Sequence, residues 1–139
     1  YGGGICQVST TLFRAAVNAG LKITERHAHA IPLNYYNPPG FDATIYPPSV
    51  DFAFINDTNN NIVLQSRISG NKLYFEIYGT KDGREVKIIG PKTTYKGTNG
   101  SLKTTLIQQV WHDGKLERED IFNSSYKPAD SYPLASSSP

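Results

Sequence analysis

The chain has 139 residues, with 14 lysines and arginines against 12 aspartates and glutamates, a formal charge of +2 and a single cysteine. That length suits one domain able to bury its own core, the interspersed charges leave no basic footprint for nucleic acid, and a lone cysteine excludes an internal disulfide. No apolar run approaches the roughly 20 residues that span a bilayer, so a soluble chain with no membrane contact of its own is expected.

The sequence opens on Tyr1-Gly2-Gly3-Gly4-Ile5-Cys6-Gln7-Val8-Ser9-Thr10-Thr11, already inside its most distinctive motif, and is expected to follow a missing N-terminal part. From Gln7 to Ala19 the spacing predicts a mostly buried helix, with Val8, Leu12, Ala15, Ala16 and Ala19 on one broad face and Gly20 as its C-terminal cap. Cys6 shares a neighbouring stripe with Thr10, Phe13 and Val17, and Gln7, Thr11, Arg14 and Asn18 form a narrow polar side. Leu21 to Ile31 alternates with a period of two, which predicts a strand carrying His27 and His29 on one face. Pro32 precedes, and four further prolines punctuate, a tyrosine-rich loop, Asn34 to Ser49, that cannot run as a central strand and is placed to wall a cleft.

Strand signals follow at Val50 to Ile55, Ile62 to Ile68, Lys72 to Tyr78 and Glu85 to Ile89, a small antiparallel meander. After Gly90-Pro91 the texture changes, and Leu102 to Trp111 and Lys115 to Phe122 read as a hairpin turning at His112-Asp113-Gly114-Lys115. The expected fold is α+β: one mostly buried N-terminal helix packed on antiparallel β-sheet, followed by a β-hairpin extension. Its organisation reads as a domain over residues 1–90, the extension over 91–126, and a disordered tail or linker over 127–139.

Cys6, at a glycine-fed helix N-terminus, occupies the place of a nucleophilic thiol, because the positive end of the helix dipole favours thiolate. The competing reading is a buried cysteine packing as a small hydrophobe. A thiol nucleophile needs a base, and the following strand offers His29 first and His27 second. Asp42 is a candidate orienting group or substrate binder, though an aspartate near glycine is commonly turn chemistry. Arg26 is a candidate partner for a substrate carboxylate, and backbone amides around Cys6 and Gln7 are candidate oxyanion donors. Gly3, Gly4 and Ser9 complete the candidate substrate and oxyanion set. His112, beside an Asp-Gly turn, is expected to be solvated. No lysine follows the glycines as a Walker-type phosphate loop requires, and Leu12 stands where a cysteine phosphatase carries arginine. Zinc on Cys6, His27 and His29 lacks the usual ligand spacing, so neither metal nor cofactor is expected.

The run Gly2-Gly3-Gly4-Ile5-Cys6-Gln7-Val8-Ser9-Thr10-Thr11-Leu12, then Glu25-Arg26-His27-Ala28-His29, then Asp42-Ala43-Thr44 and Asp51-Phe52, resembles the VanW family, named for an accessory gene of vancomycin-resistance clusters. The resemblance covers roughly residues 1–90 and departs from the family at Ala30 and Ile31. The later strands are similar to the G5-like β extension that often follows the domain. The resemblance implies extracytoplasmic work in the bacterial cell envelope, as an L,D-type peptidoglycan transpeptidase with a cysteine nucleophile and wall stem peptides as partners. The residues alone leave open a cysteine peptidase or amidase of the same peptides, and a non-catalytic wall-binding or accessory module.

Overall fold

The protein is described from a computed structural model, over residues 4–131. Helix α1 spans Ile5–Asn18, and seven strands follow: β1 Lys22–Glu25, β2 Ala53–Ile55, β3 Ile62–Ser69, β4 Lys72–Gly79, β5 Arg84–Lys96, β6 Leu102–His112 and β7 Lys115–Tyr126. All pairings are antiparallel and form three sheets, β1-β2, β3-β4 and β5-β6-β7. This is the expected α+β architecture with an N-terminal helix packed on sheets. No helix among the described residues is long and apolar enough to cross a membrane.

The helix ends where Gly20 allows it. Gly20 has φ 74°, its N–H bonds the Val17 carbonyl at 3.1 Å, and the Leu21 N–H reaches back to the Ala16 carbonyl at 3.1 Å. These two bonds make a Schellman close. The buried stripe of α1 is Ser9, Thr10, Phe13, Ala16 and Val17. Val8, expected on the buried face, is 44% exposed, because the core lies on the side of Phe13. That ring meets Phe41, Phe52 and Phe122 edge-on, with centroids 5.9, 5.7 and 5.6 Å away. Val17, Ala43 and Leu106 complete the centre.

One expectation is corrected. The strand expected over Leu21 to Ile31 stops at Glu25, and the chain continues irregularly alongside residues 42–44, where the Thr44 N–H bonds the His27 carbonyl at 2.8 Å. The boundary expected at Gly90-Pro91 falls inside β5. Pairing there skips from Ile89–Ile107 to Lys92–Thr105, a bulge that admits one extra residue and bends the strand. Gly90 has φ 92°, and a Cβ on it would stand 2.8 Å from the Thr105 carbonyl oxygen. From the hairpin, Leu106 and Phe122 share the core with Phe13. The Gln108 amide also donates to the Val17 and Leu21 carbonyls at 2.8 and 3.2 Å, binding β6 to the end of the helix. Of the expected tail, a short 3-10 turn forms at Ala129–Ser131, and residues 132–139 lie outside the described part.

Candidate active site

Gly4 precedes α1 with φ 85° and caps it without a side chain. The first backbone bond of the helix runs from the Val8 N–H to the Gly4 carbonyl at 3.1 Å, so the amides of Ile5, Cys6 and Gln7 come before the helical ladder begins. No acidic residue sits in the first turn, which leaves the positive end of the helix uncompensated beside the thiol. Cys6 is half-buried and unpaired as a thiol.

Opposite the helix runs the segment Asp42-Ala43-Thr44, fixed to it by two hydroxyls. Ser9 Oγ donates to the Ala43 carbonyl at 2.6 Å, and Thr10 Oγ1 both donates to that carbonyl and accepts from the Ala43 N–H at 3.1 Å. This clamp brings Thr44 Oγ1 to 3.4 Å from Cys6 Sγ, with the Ile45 carbonyl oxygen 3.7 Å from the same sulfur.

Asp42 organises the other side. One carboxylate oxygen takes the His29 N–H at 2.8 Å and His29 Nδ1 at 2.5 Å. The other takes the Tyr126 hydroxyl and the Arg26 guanidinium at 3.3 Å. With Nδ1 engaged by the carboxylate, Nε2 is the ring nitrogen that Asp42 does not hold. Tyr36 stacks on the imidazole at 4.5 Å with 13° between the planes. Arg14 holds the loop that carries Tyr36, donating to the carbonyls of Tyr36, Asn37 and Phe41 at 2.9, 3.1 and 2.7 Å.

The electrostatics follow from these contacts. Burial works against ionising Cys6, but hydrogen bonds with Thr44 and the Ile45 backbone, then the bond and charge of His29, outweigh it and lower the thiol below its ordinary value. Burial likewise opposes a charge on His29, and the Asp42 and Cys6 contacts overcome it and raise the imidazole. Burial alone would push Asp42 up, yet the His29 ring and backbone, the Tyr126 hydroxyl and the Arg26 charge hold it at about 2. Opposite shifts in thiol and imidazole favour a thiolate–imidazolium pair, the reactive form of a cysteine nucleophile.

Of the residues singled out from sequence, Cys6, His29 and Asp42 converge. His27 does not, being half-exposed and bonded through Nε2 to Glu25 at 3.1 Å. Arg26 is buried, its side chain 4% exposed, and is consumed by the Asp42 carboxylate and carbonyl and by Ser124 Oγ at 2.7 Å. It therefore positions Asp42 instead of meeting a substrate carboxylate. Ser9 is spent on the Ala43 clamp, Gly4 and Gln7 sit at the exposed helix start, and Gly3 lies outside the described residues. His112 is not merely solvated, since its Nε2 bonds the Asp82 carbonyl at 2.9 Å and its Nδ1 lies 2.7 Å from the Glu117 carboxylate. Sequence reasoning missed Thr44, Tyr36, Arg14 and Tyr126. Thr44 alone carried a signal, two residues beyond Asp42 in one short motif. Among the described residues no group of three or more side chains is arranged to hold a metal ion.

A family model described as VanW like protein matches residues 1–78, more than half of the chain, and the chain belongs to that family. Over 79 residues, 57% of this chain, it is 42% identical to the uncharacterized protein YoaR of Bacillus subtilis (strain 168), covering 26% of that protein. Over 125 residues, 86% of this chain, it is 28% identical to the vancomycin B-type resistance protein VanW of Enterococcus faecalis (strain ATCC 700802 / V583), covering 42% of it. The chain thus spans less than half the length of either relative. No solved structure matches.

Proposed function

We propose that this domain is a cysteine acyltransferase of the bacterial cell envelope, cross-linking wall stem peptides by L,D-type transpeptidation through a thioester on Cys6. The observation that carries the acyl-transfer reading is the Cys6–His29–Asp42 array, with Asp42 fixing one nitrogen of His29 at 2.5 Å and thiol and imidazole shifted towards an ion pair. The wall substrate rests on family membership and on the resistance function in the name of the enterococcal relative.

In this reading the Cys6 thiolate attacks the carbonyl carbon of the third stem residue, and the carbonyl π electrons move to oxygen. The oxyanion faces the amides that precede the helical ladder. As the oxyanion collapses, the bond to the terminal D-alanine breaks and the His29 imidazolium gives its proton to the departing amine. A neighbouring stem amine then attacks the thioester, neutral His29 takes its proton, and the thiolate leaves with the electron pair of the C–S bond. Asp42 keeps the imidazole in one tautomer throughout. Water in place of the amine would make the same site a peptidase or amidase.

The test uses the full-length protein and purified muropeptides. Cys6→Ala is expected to abolish cross-linked product, and a thioester adduct is expected on Cys6 by intact mass in the wild type. Cross-linking that survives Cys6→Ala refutes the enzyme reading. Wall binding retained by that variant, with an inert thiol in the wild type, establishes the accessory module that the relative's name also suits.

A further inference from the structure

We propose that the Thr44 hydroxyl is a side-chain donor to the oxyanion formed at Cys6, acting with the helix amides; the proposal rests on the acyl-transfer reading above. Thr44 Oγ1 lies 3.4 Å from Sγ, and its backbone is fixed by the N–H bond to His27 at 2.8 Å and by the doubly clamped Ala43 beside it. While sulfur carries its proton, either atom can donate. Once Cys6 is ionised, the only proton between the two atoms belongs to Thr44, so the hydroxyl points at the thiolate. Attack converts that sulfur into a neutral thioether-like atom, a weak acceptor, and moves the negative charge to an oxygen on the carbon bonded to it. The hydroxyl needs only rotation about Cβ–Oγ1 to follow the charge. Its proton has no comparable acceptor left on sulfur, so the bond to oxygen replaces the one to the thiolate and no desolvated charge is stranded between the two steps. Ser9 and Thr10, whose hydroxyls are committed to the Ala43 carbonyl, are not placed to do this.

The experiment compares two reactions of the same thiol in wild type, Thr44→Val and Thr44→Ser, with Cys6→Ala as blank. Iodoacetamide alkylates sulfur without forming an oxyanion, whereas p-nitrophenyl acetate acetylates it through one. For Thr44→Val the alkylation midpoint is expected to move up in pH with its high-pH plateau kept. The acetylation plateau is expected to fall at least tenfold, towards the roughly hundredfold or greater loss typical of a removed oxyanion donor. Thr44→Ser, which keeps the hydroxyl, is expected to restore most of it. Equal plateaus in both reactions would show that Thr44 only tunes the thiol and would overturn the proposal, as would plateaus that fall together in both. A wild type that is alkylated at low pH yet never acetylated would overturn the acyl-transfer reading itself, and this proposal with it.

Discussion

Asp42→Asn keeps the shape of the side chain and removes its charge. The carboxylate accepts from four donors: His29 Nδ1 at 2.5 Å, the His29 N–H at 2.8 Å, Arg26 at 3.3 Å and the Tyr126 hydroxyl. An amide offers one acceptor oxygen and one donor nitrogen, so one side of this arrangement must set donor against donor. The Arg26 side chain, 4% exposed, is left as a buried cation with neutral partners only. Breaking a buried pair in this way costs about 3–5 kcal/mol, out of a total stability of about 5–15 kcal/mol for a domain, so a large fall in the urea midpoint is expected. At the site, His29 loses the charge that holds up its imidazolium, and the thiolate loses that partner. Alkylation of Cys6, followed against pH in protein shown to be folded by circular dichroism, is expected to shift its midpoint upward, with the part owed to Thr44 and Ile45 kept. Turnover is expected to drop by up to about 10⁴-fold, the cost seen when a triad carboxylate becomes an amide. A variant that melts with the wild type and keeps its alkylation midpoint would refute both roles of Asp42.

Acid should find the same residue. With a folded pKa of about 2 against an ordinary 3.8, Asp42 contributes about 2 kcal/mol; this is fully present above the ordinary value and lost as pH falls through the folded one, so urea midpoints should decline between those limits and Asp42→Asn should flatten the decline. Gly40→Ala is expected to cost about 3 kcal/mol or more, combining a left-handed residue with overpacking: Gly40 has φ 96° and a Cβ there would stand 2.3 Å from Thr104 Oγ1. An unchanged melting curve for that variant would show that the segment leading to Asp42 yields easily.

Much of this arrangement was legible in the chain. The glycine run, the helix over most of its length and its stop at Gly20 followed from local rules, and alternation located the later strands to within a few residues except where β5 and β7 ran on and β2 began late. The choice between His29 and His27 was not legible, because a period of two puts both on one face. The chain leaves β1 after Glu25, so the two rings part, His29 towards Asp42 and His27 towards Glu25. Arg14 looked like a solvent-side residue of a polar stripe, yet its guanidinium ties down the loop behind His29. Nothing local predicts that an arginine's partners are three carbonyls some 22 to 27 residues further on.

The least legible part is also the one that makes the site whole. The family model ends at residue 78, but the Tyr126 hydroxyl and Ser124 Oγ come from β7. Tyr126 accepts the Gly40 N–H at 2.7 Å as it donates to Asp42, and Ser124 accepts Arg26 at 2.7 Å. A buried carboxylate and guanidinium are stable together only when their remaining bonding sites are filled, and here β7 fills one on each. Burial and the Asp42 acceptor together push the Tyr126 hydroxyl up to about 12, so it stays a protonated donor across the range in which the Cys6–His29 pair would work. Arg26 stacks 5.2 Å over the Phe13 ring, which ties this polar cluster to the aromatic core that Phe122 of β7 also joins. The orientation of His29 therefore depends on strand pairing some 84 residues beyond Asp42, and a site assembled from residues 1–78 alone would bury Asp42 short of a donor and Arg26 short of an acceptor.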